Sequence, residues 1–117
     1  MSYETNLWFV RHGPTHADFF VGWTDIAADL SDQAALKRLH MALPENALII
    51  SSDLIRCIDT AHAIEDTRTR LPHDKDLREF HFGEWEEQRF SEIAKSHPEL
   101  SREYWENPGD VAATSRD

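Results

Sequence analysis

Two short stretches of the chain are apolar without interruption. Leu7-Trp8-Phe9-Val10 stops abruptly at Arg11-His12-Gly13-Pro14, and Ala47-Leu48-Ile49-Ile50 stops at Ser51-Ser52. Half-exposed strands alternate apolar and polar residues, so unbroken runs predict strands covered on both faces, as in a parallel sheet. Between them the period changes to that of a helix. Leu36, Leu39 and Leu43 share one face of a helix predicted from about Asp32 to Leu43, with Ser31 as its cap, Asp32 at its positive end and Pro44 as its stop. A second helix is predicted from a Ser52 or Asp53 cap to about Glu65, with Leu54, Cys57, Ile58, Ala61 and Ile64 as one apolar stripe. Strand, helix, strand, helix is the rhythm of an α/β fold.

Beyond Thr67 the pattern weakens. Lys75 to Glu79 reads as a short extended segment, followed by a turn at Gly83. Phe90 to Lys95 and Pro98 to Glu106 read as two short helices, Pro98 being acceptable only in a first turn. Asn107 to Asp117 is small and polar, with neither a cap nor a closing strand, and reads as a loop. Two strands alone leave unpaired outer edges and cannot form a doubly covered sheet. Either the weaker segments supply more strands, or residues 1–117 form a single, incomplete domain.

Length and charge narrow the function. The 117 residues (13.6 kDa) allow one compact domain, and 12 Lys and Arg against 22 Asp and Glu give a net charge of −10. Such a surface repels nucleic-acid backbones and anionic lipid, so the expectation is no nucleic acid and no membrane as partner. No stretch approaches the roughly 20 apolar residues of a bilayer span, and Met1 to Val10 lacks the basic start of a secretory signal. A single cysteine, Cys57, excludes an internal disulfide framework and a multi-thiolate zinc site. These features together predict a soluble, cytoplasmic protein.

The chemistry gathers where the two predicted strands end, the edge at which open α/β sheets bind ligands. One cluster is Arg11-His12-Gly13-Pro14-Thr15; the other runs from Ser51 to Arg56, which puts Arg56 in the first turn of the second helix. Two guanidinium groups, an imidazole and free helix N–H groups at one edge have the physics of a phosphate pocket.

Four segments, in order, resemble the histidine phosphatase superfamily, the phosphoglycerate-mutase-like proteins. They are Arg11 to Thr15 (RHG-x-T), Gly22-Trp23-Thr24-Asp25 with Leu30-Ser31, Ser51-Ser52-Asp53-Leu54 with Arg56 and Thr60, and Leu77-Arg78-Glu79-Phe80-His81-Phe82-Gly83-Glu84-Trp85-Glu86. The resemblance runs from Leu7 to about Glu106 and implies a three-layer α/β sandwich, with helices flanking a mostly parallel central sheet. It also implies that His12 accepts a phosphoryl group on a ring nitrogen, kept neutral by the other N–H donating to a backbone carbonyl. In the same reading Arg11 and Arg56 hold the phosphoryl oxygens, and Glu79 protonates the leaving alcohol and later activates water. That role calls for a raised Glu79 pKa, which partial burial against Phe80 and Phe82 would supply. Substrate contacts are implied for Thr15, Asp18, Trp23, Thr24 and His81, with plain packing an equal alternative for His81. The substrate class is a small phosphorylated metabolite, and no cofactor or metal is implied.

Three positions depart from the family pattern, and one family residue is unmatched. Asp18 stands where many members have Asn, Val21 where mutases tend to have Thr, and Phe82 where mutases usually have Tyr. The last two favour a phosphatase, in the style of the α-ribazole phosphatases, over a mutase. The family's second phosphate-binding histidine has no counterpart, since His97 lacks a preceding apolar strand and a following Gly. The chain thus reads as the front portion of the fold. A catalytically inactive fragment or pseudoenzyme, binding phosphate ligands or a protein, is the rival reading.

Other polar and aromatic positions have plainer explanations. His16, four after His12, is not placed on a helix because Gly13 and Pro14 precede it, so a metal pair there is disfavoured. Cys57 belongs to the apolar stripe as an inert thiol. Glu84, Glu86 and Glu87 read as a solvated acidic face, and Trp85, Tyr104 and Trp105 as core or its cover.

Overall fold

The computed structural model describes residues 4–106, which fall into two compact units: residues 4–15 with 26–77, and residues 16–25 with 78–106. The first unit carries the α/β rhythm. Helix α1 (Gln33–Ala42) precedes strand β1 (Leu48–Ile49), helix α2 (Ile55–Glu65) and strand β2 (Thr69–Arg70). β1 and β2 pair in parallel, Leu48 with Thr69 and Ile49 with Arg70, and α2 is the crossover between them. The loops beyond the strands continue the pairing, Leu71 N–H donating to Ile49 O at 2.8 Å and Asp74 N–H to Ser51 O at 3.0 Å.

Both helices lie within a residue or two of their predicted bounds, but their caps differ. Asp32, not Ser31, caps α1, its Oδ1 accepting the Ala35 N–H at 3.0 Å. Ser31 is already engaged upstream, donating its own N–H to Asp29 Oδ1 at 2.9 Å. Leu54 is the N-cap of α2, without a side-chain cap bond; Ser52 Oγ accepts the Leu54 N–H one step earlier, at 3.4 Å. The predicted stripe is real: Leu54, Ala61 and Ile64 are buried, and Cys57 and Ile58 half-buried.

The predicted first strand is not formed. Leu7 to Val10 has no strand conformation, and all four side chains are exposed, Phe9 by 92%. A run apolar on both faces becomes a strand only with an edge partner and cover on each side. Among the described residues the sheet is β1 with β2, and Leu7–Val10 has no place in it. Thr69–Arg70, not singled out in the sequence because it is too short to show a period, is a strand instead.

One side chain joins the ends of the two helices. Arg68, 5% exposed, donates from Nε to Pro44 O (2.7 Å) and from its two amino groups to Ile64 O (2.7 Å), His40 O (3.0 Å), Leu43 O (3.0 Å) and His40 Nδ1 (2.8 Å). Five donors thus meet five acceptors, four of them carbonyls at or beyond the ends of α1 and α2 that lack helical partners. Because guanidinium can only donate, His40 Nδ1 is the acceptor, leaving Nε2–H 3.5 Å from Asp66 Oδ2.

In the second unit Phe20 (2% exposed), Phe82, Trp85 (2%) and Ile93 form the core, with Phe90, Leu100 and Tyr104 against it. Phe20 lies at its centre, its ring 4.9–6.0 Å from those of Phe82, Trp85, Phe90, Tyr104 and Trp105. Helices α3 (Phe90–Ser96) and α4 (Pro98–Glu106) follow the sequence reading closely. The predicted extended stretch at Lys75 to Glu79 is instead a 3₁₀ turn over Lys75–Leu77, where Asp74 Oδ1 accepts the Asp76 N–H at 2.9 Å and favours a tight bend. The turn expected at Gly83 is a second 3₁₀ segment, Gly83–Trp85. The loop expected at Asn107 to Asp117 lies outside the described residues.

Arg68→Met removes all five donors while keeping much of the apolar stem. It is expected to lower the stability of the first unit by about 3 kcal/mol, read as a smaller urea midpoint at unchanged slope.

Candidate functional site

The first unit holds Arg11, His12, Thr15 and Arg56. His12 is half-buried, and its Nδ1 lies 2.7 Å from Gly13 O. A carbonyl oxygen only accepts, so Nδ1 carries the hydrogen and, in the neutral ring, Nε2 carries the lone pair. The loop bearing His12 is tied to α2 by one hydroxyl. Thr60 Oγ1 accepts the Gly13 N–H at 2.9 Å and donates to Arg56 O at 2.7 Å, linking the neighbour of His12 to the backbone of Arg56. Gly13 packs closely, since a Cβ there would stand 2.7 Å from Leu30 Cδ2 and 3.3 Å from Asp29 O, and the leucine side chain would have to shift. Arg56, in the first turn of α2, is 1% exposed; Arg11 is exposed and Thr15 half-buried. Arg70, which the sequence reading passed over, ends β2 at the same carboxyl edge, 3.2 Å from Ser51 Oγ and 3.5 Å from Glu65 Oε1.

The second unit holds Asp18, Trp23, Thr24, Glu79 and His81. Trp23 is the hub: its indole N–H donates to Glu79 O at 3.0 Å, the Arg78 guanidinium lies 5.0 Å over its ring, and the His81 ring meets it edge-on at 5.0 Å. His81 Nδ1 accepts the Gly83 N–H at 3.0 Å. Asp18 is exposed, and its carbonyl accepts the Phe90 N–H at 3.1 Å.

Glu79 departs from expectation. It is exposed, not partly buried against Phe80 and Phe82, and its Oε1 accepts the Phe80 N–H at 2.8 Å. The two rings point to different environments: Phe82 turns into the Phe20 core, whereas Phe80 stays 44% exposed. Glu79 is nevertheless felt by the core, because burial and then the Glu79 charge hold the Tyr104 phenol above its ordinary pKa.

Glu86, expected on a solvated acidic face, is instead half-buried and hydrogen-bonded through both carboxylate oxygens. Its carboxylate accepts from Gly22 N–H (2.9 Å), Thr24 N–H (2.8 Å), Phe82 N–H (3.1 Å) and the Thr24 hydroxyl. Burial pushes its pKa up, but the bonds from Thr24, Phe82 and Gly22 outweigh this and hold it below the ordinary 4.5. A Cβ on Gly22 would stand 1.9 Å from Phe80 O, so only glycine allows this approach. The clue in the sequence was the pairing of a glycine-containing loop with an acid after a turn, but a charge run does not reveal which acid points inward.

The sequence matches the histidine phosphatase superfamily (branch 1) over residues 7–116. The chain belongs to that family. Its fold is similar to solved structures of YhfR from Bacillus stearothermophilus (29% identity, TM-score 0.75, covering 91% of this chain and 56% of that one). It is also similar to TTHB049 from Thermus thermophilus (30%, 0.66, 83% and 55%). A third likeness is to a mycobacterial glucosyl-3-phosphoglycerate phosphatase in complex with inorganic phosphate (27%, 0.70, 86% and 49%). The chain spans about half the length of these solved structures. No curated protein matches it. Among the described residues no helix is long and apolar enough to cross a membrane, and no group of three or more His, Cys, Asp or Glu is arranged to hold a metal ion.

Two measurements test this local architecture. Thr60→Val leaves the Gly13 N–H without its acceptor and is expected to cost about 1–3 kcal/mol in urea unfolding. For Glu86 the folded pKa is depressed, so its stabilisation is complete above the ordinary value and is lost as pH falls through the folded one. The near-UV signal of the Phe20–Trp85 core should weaken as pH falls below the ordinary 4.5 and through the lower folded value, and Glu86→Gln should flatten that limb.

Proposed function

We propose that the chain is the part of a phosphomonoesterase that carries the nucleophile and the proton donor, acting on a small phosphorylated metabolite. The observation that carries this reading is the His12 Nδ1–Gly13 O bond, which leaves Nε2 as the nucleophilic nitrogen beside a loop tied to Arg56. Nε2 attacks phosphorus, the bond from phosphorus to the ester oxygen breaks, and Glu79 gives its proton to the departing alkoxide. Water then attacks the phosphohistidine, Glu79 takes a proton from it, the P–N bond breaks and inorganic phosphate leaves. Arg11 and Arg56 offset the charge that builds on the phosphoryl oxygens. Phe82 lies in the Phe20 core, which speaks against a mutase-like ligand contact from that position. A cytoplasmic location goes with this reading and rests on the single cysteine.

A specific observation favours the rival, a catalytically inactive phosphate-ligand or protein-binding module: Glu79 is exposed, without the partial burial that its proton-donor role calls for. The discriminating experiment is brief incubation with a ³²P-labelled phosphomonoester followed by acid and alkaline quenching. An alkali-stable, acid-labile label, absent in His12→Gln, is expected, together with a drop of about 10²–10⁴ in turnover for Glu79→Gln. Turnover without a label overturns the mechanism; ligand binding without turnover favours the rival.

A further inference from the structure

We infer that Glu86 is a positioning residue for Glu79, acting through Trp23; this rests on the proton-donor role proposed for Glu79. The chain of contacts is short. Glu86 Oε2 accepts the Gly22 and Thr24 N–H groups and the Thr24 hydroxyl, so it grips the backbone on both sides of Trp23. The Trp23 indole N–H in turn holds the Glu79 carbonyl at 3.0 Å. Glu86 Oε1 takes the Phe82 N–H at 3.1 Å, anchoring the segment that follows Glu79 from the other end. Residues 79–82 are therefore held at Phe82 by the Glu86 carboxylate itself and at Glu79 by the Trp23 indole, whose flanking backbone that carboxylate grips.

The need for such a grip follows from Glu79 itself. Its side chain is exposed, and its Oε1 bonds only the adjacent Phe80 N–H among the hydrogen bonds described. Surrounding side chains do not enclose it, so its position depends on its backbone. That backbone belongs to no helix or strand, and the Trp23 and Glu86 bonds act on it directly. The requirement for a carboxylate is also local. An amide at position 86 has one accepting oxygen, so either orientation turns an NH₂ group towards at least one backbone N–H. The lowered pKa of Glu86 accords with this geometry.

The test follows the Trp23 indole proton in the full chain by NMR, its signal assigned by loss in Trp23→Phe. In Glu86→Gln the indole proton is expected to exchange at least about tenfold faster, a larger change than that of the amide protons of the Phe20 core. Turnover of an aryl phosphate should fall about tenfold to a hundredfold in kcat with little change in KM, because misplacement affects the reacting geometry more than ground-state binding. Glu86→Asp, which keeps the charge, should recover part of both. If Glu86→Gln does not fold, Thr24→Val, which removes one of the four bonds, should show a smaller change of the same kind. Unchanged indole exchange in a folded Glu86→Gln, or in Thr24→Val when that substitute is needed, overturns the inference. A wild-type chain without turnover would count against the proton-donor role, while the indole measurement still decides the grip of Glu86 on Trp23.

Discussion

Buried backbone N–H and C=O groups must find partners, and in a chain with strands of two residues the sheet ladder supplies few of them. Two charged side chains make up much of the difference. Arg68, which can only donate, sits among carbonyls at the ends of α1 and α2; Glu86, ionised and only accepting, sits among N–H groups of the 22–24 loop and the 82–86 turn. Each unit is organised around a side chain whose valences match the unpaired backbone groups near it. A neutral or shorter residue would leave several of those groups without partners at once.

The same logic reaches the loop with His12. Its conformation is set by a hydroxyl from α2 and by a close approach of Gly13 to Leu30, and the imidazole is oriented by its neighbour's carbonyl. These are contacts of a few atoms, yet they select the tautomer that the proposed attack of His12 on phosphorus needs. The chain carries a net charge of −10, so a dianionic phosphate gains nothing from the overall field. Attraction has to come from local cations, which is where Arg11 and Arg56 enter the proposed mechanism.

Much of the fold was legible in advance. The stripe of Leu54, Ala61 and Ile64 marked α2, and Pro98 marked the start of α4, because helical period and proline chemistry are local properties. The ordered motifs pointed to the family for the same reason. Leu7 to Val10 shows the limit: its composition favours a strand, but strand formation also requires an edge and two covering layers, which are properties of other residues. Glu79 and Glu86 make the point within one motif. Both are acids beside an aromatic residue, yet the first is exposed and the second takes four hydrogen bonds, because Gly22, Thr24 and Phe82 bring their donors to Glu86.

By itself, then, the sequence determined the helices, the family and the residue types available for phosphoryl chemistry, since these depend on short-range spacing. Only the tertiary structure decided which polar groups are used up in holding the backbone. It gave Arg68 and Glu86 their structural roles, fixed the His12 tautomer and left Leu7 to Val10 facing solvent. Hydrogen-bond partners come from residues far apart along the chain, Gly13 with Thr60 and Gly22 with Glu86, and no local pattern encodes that meeting.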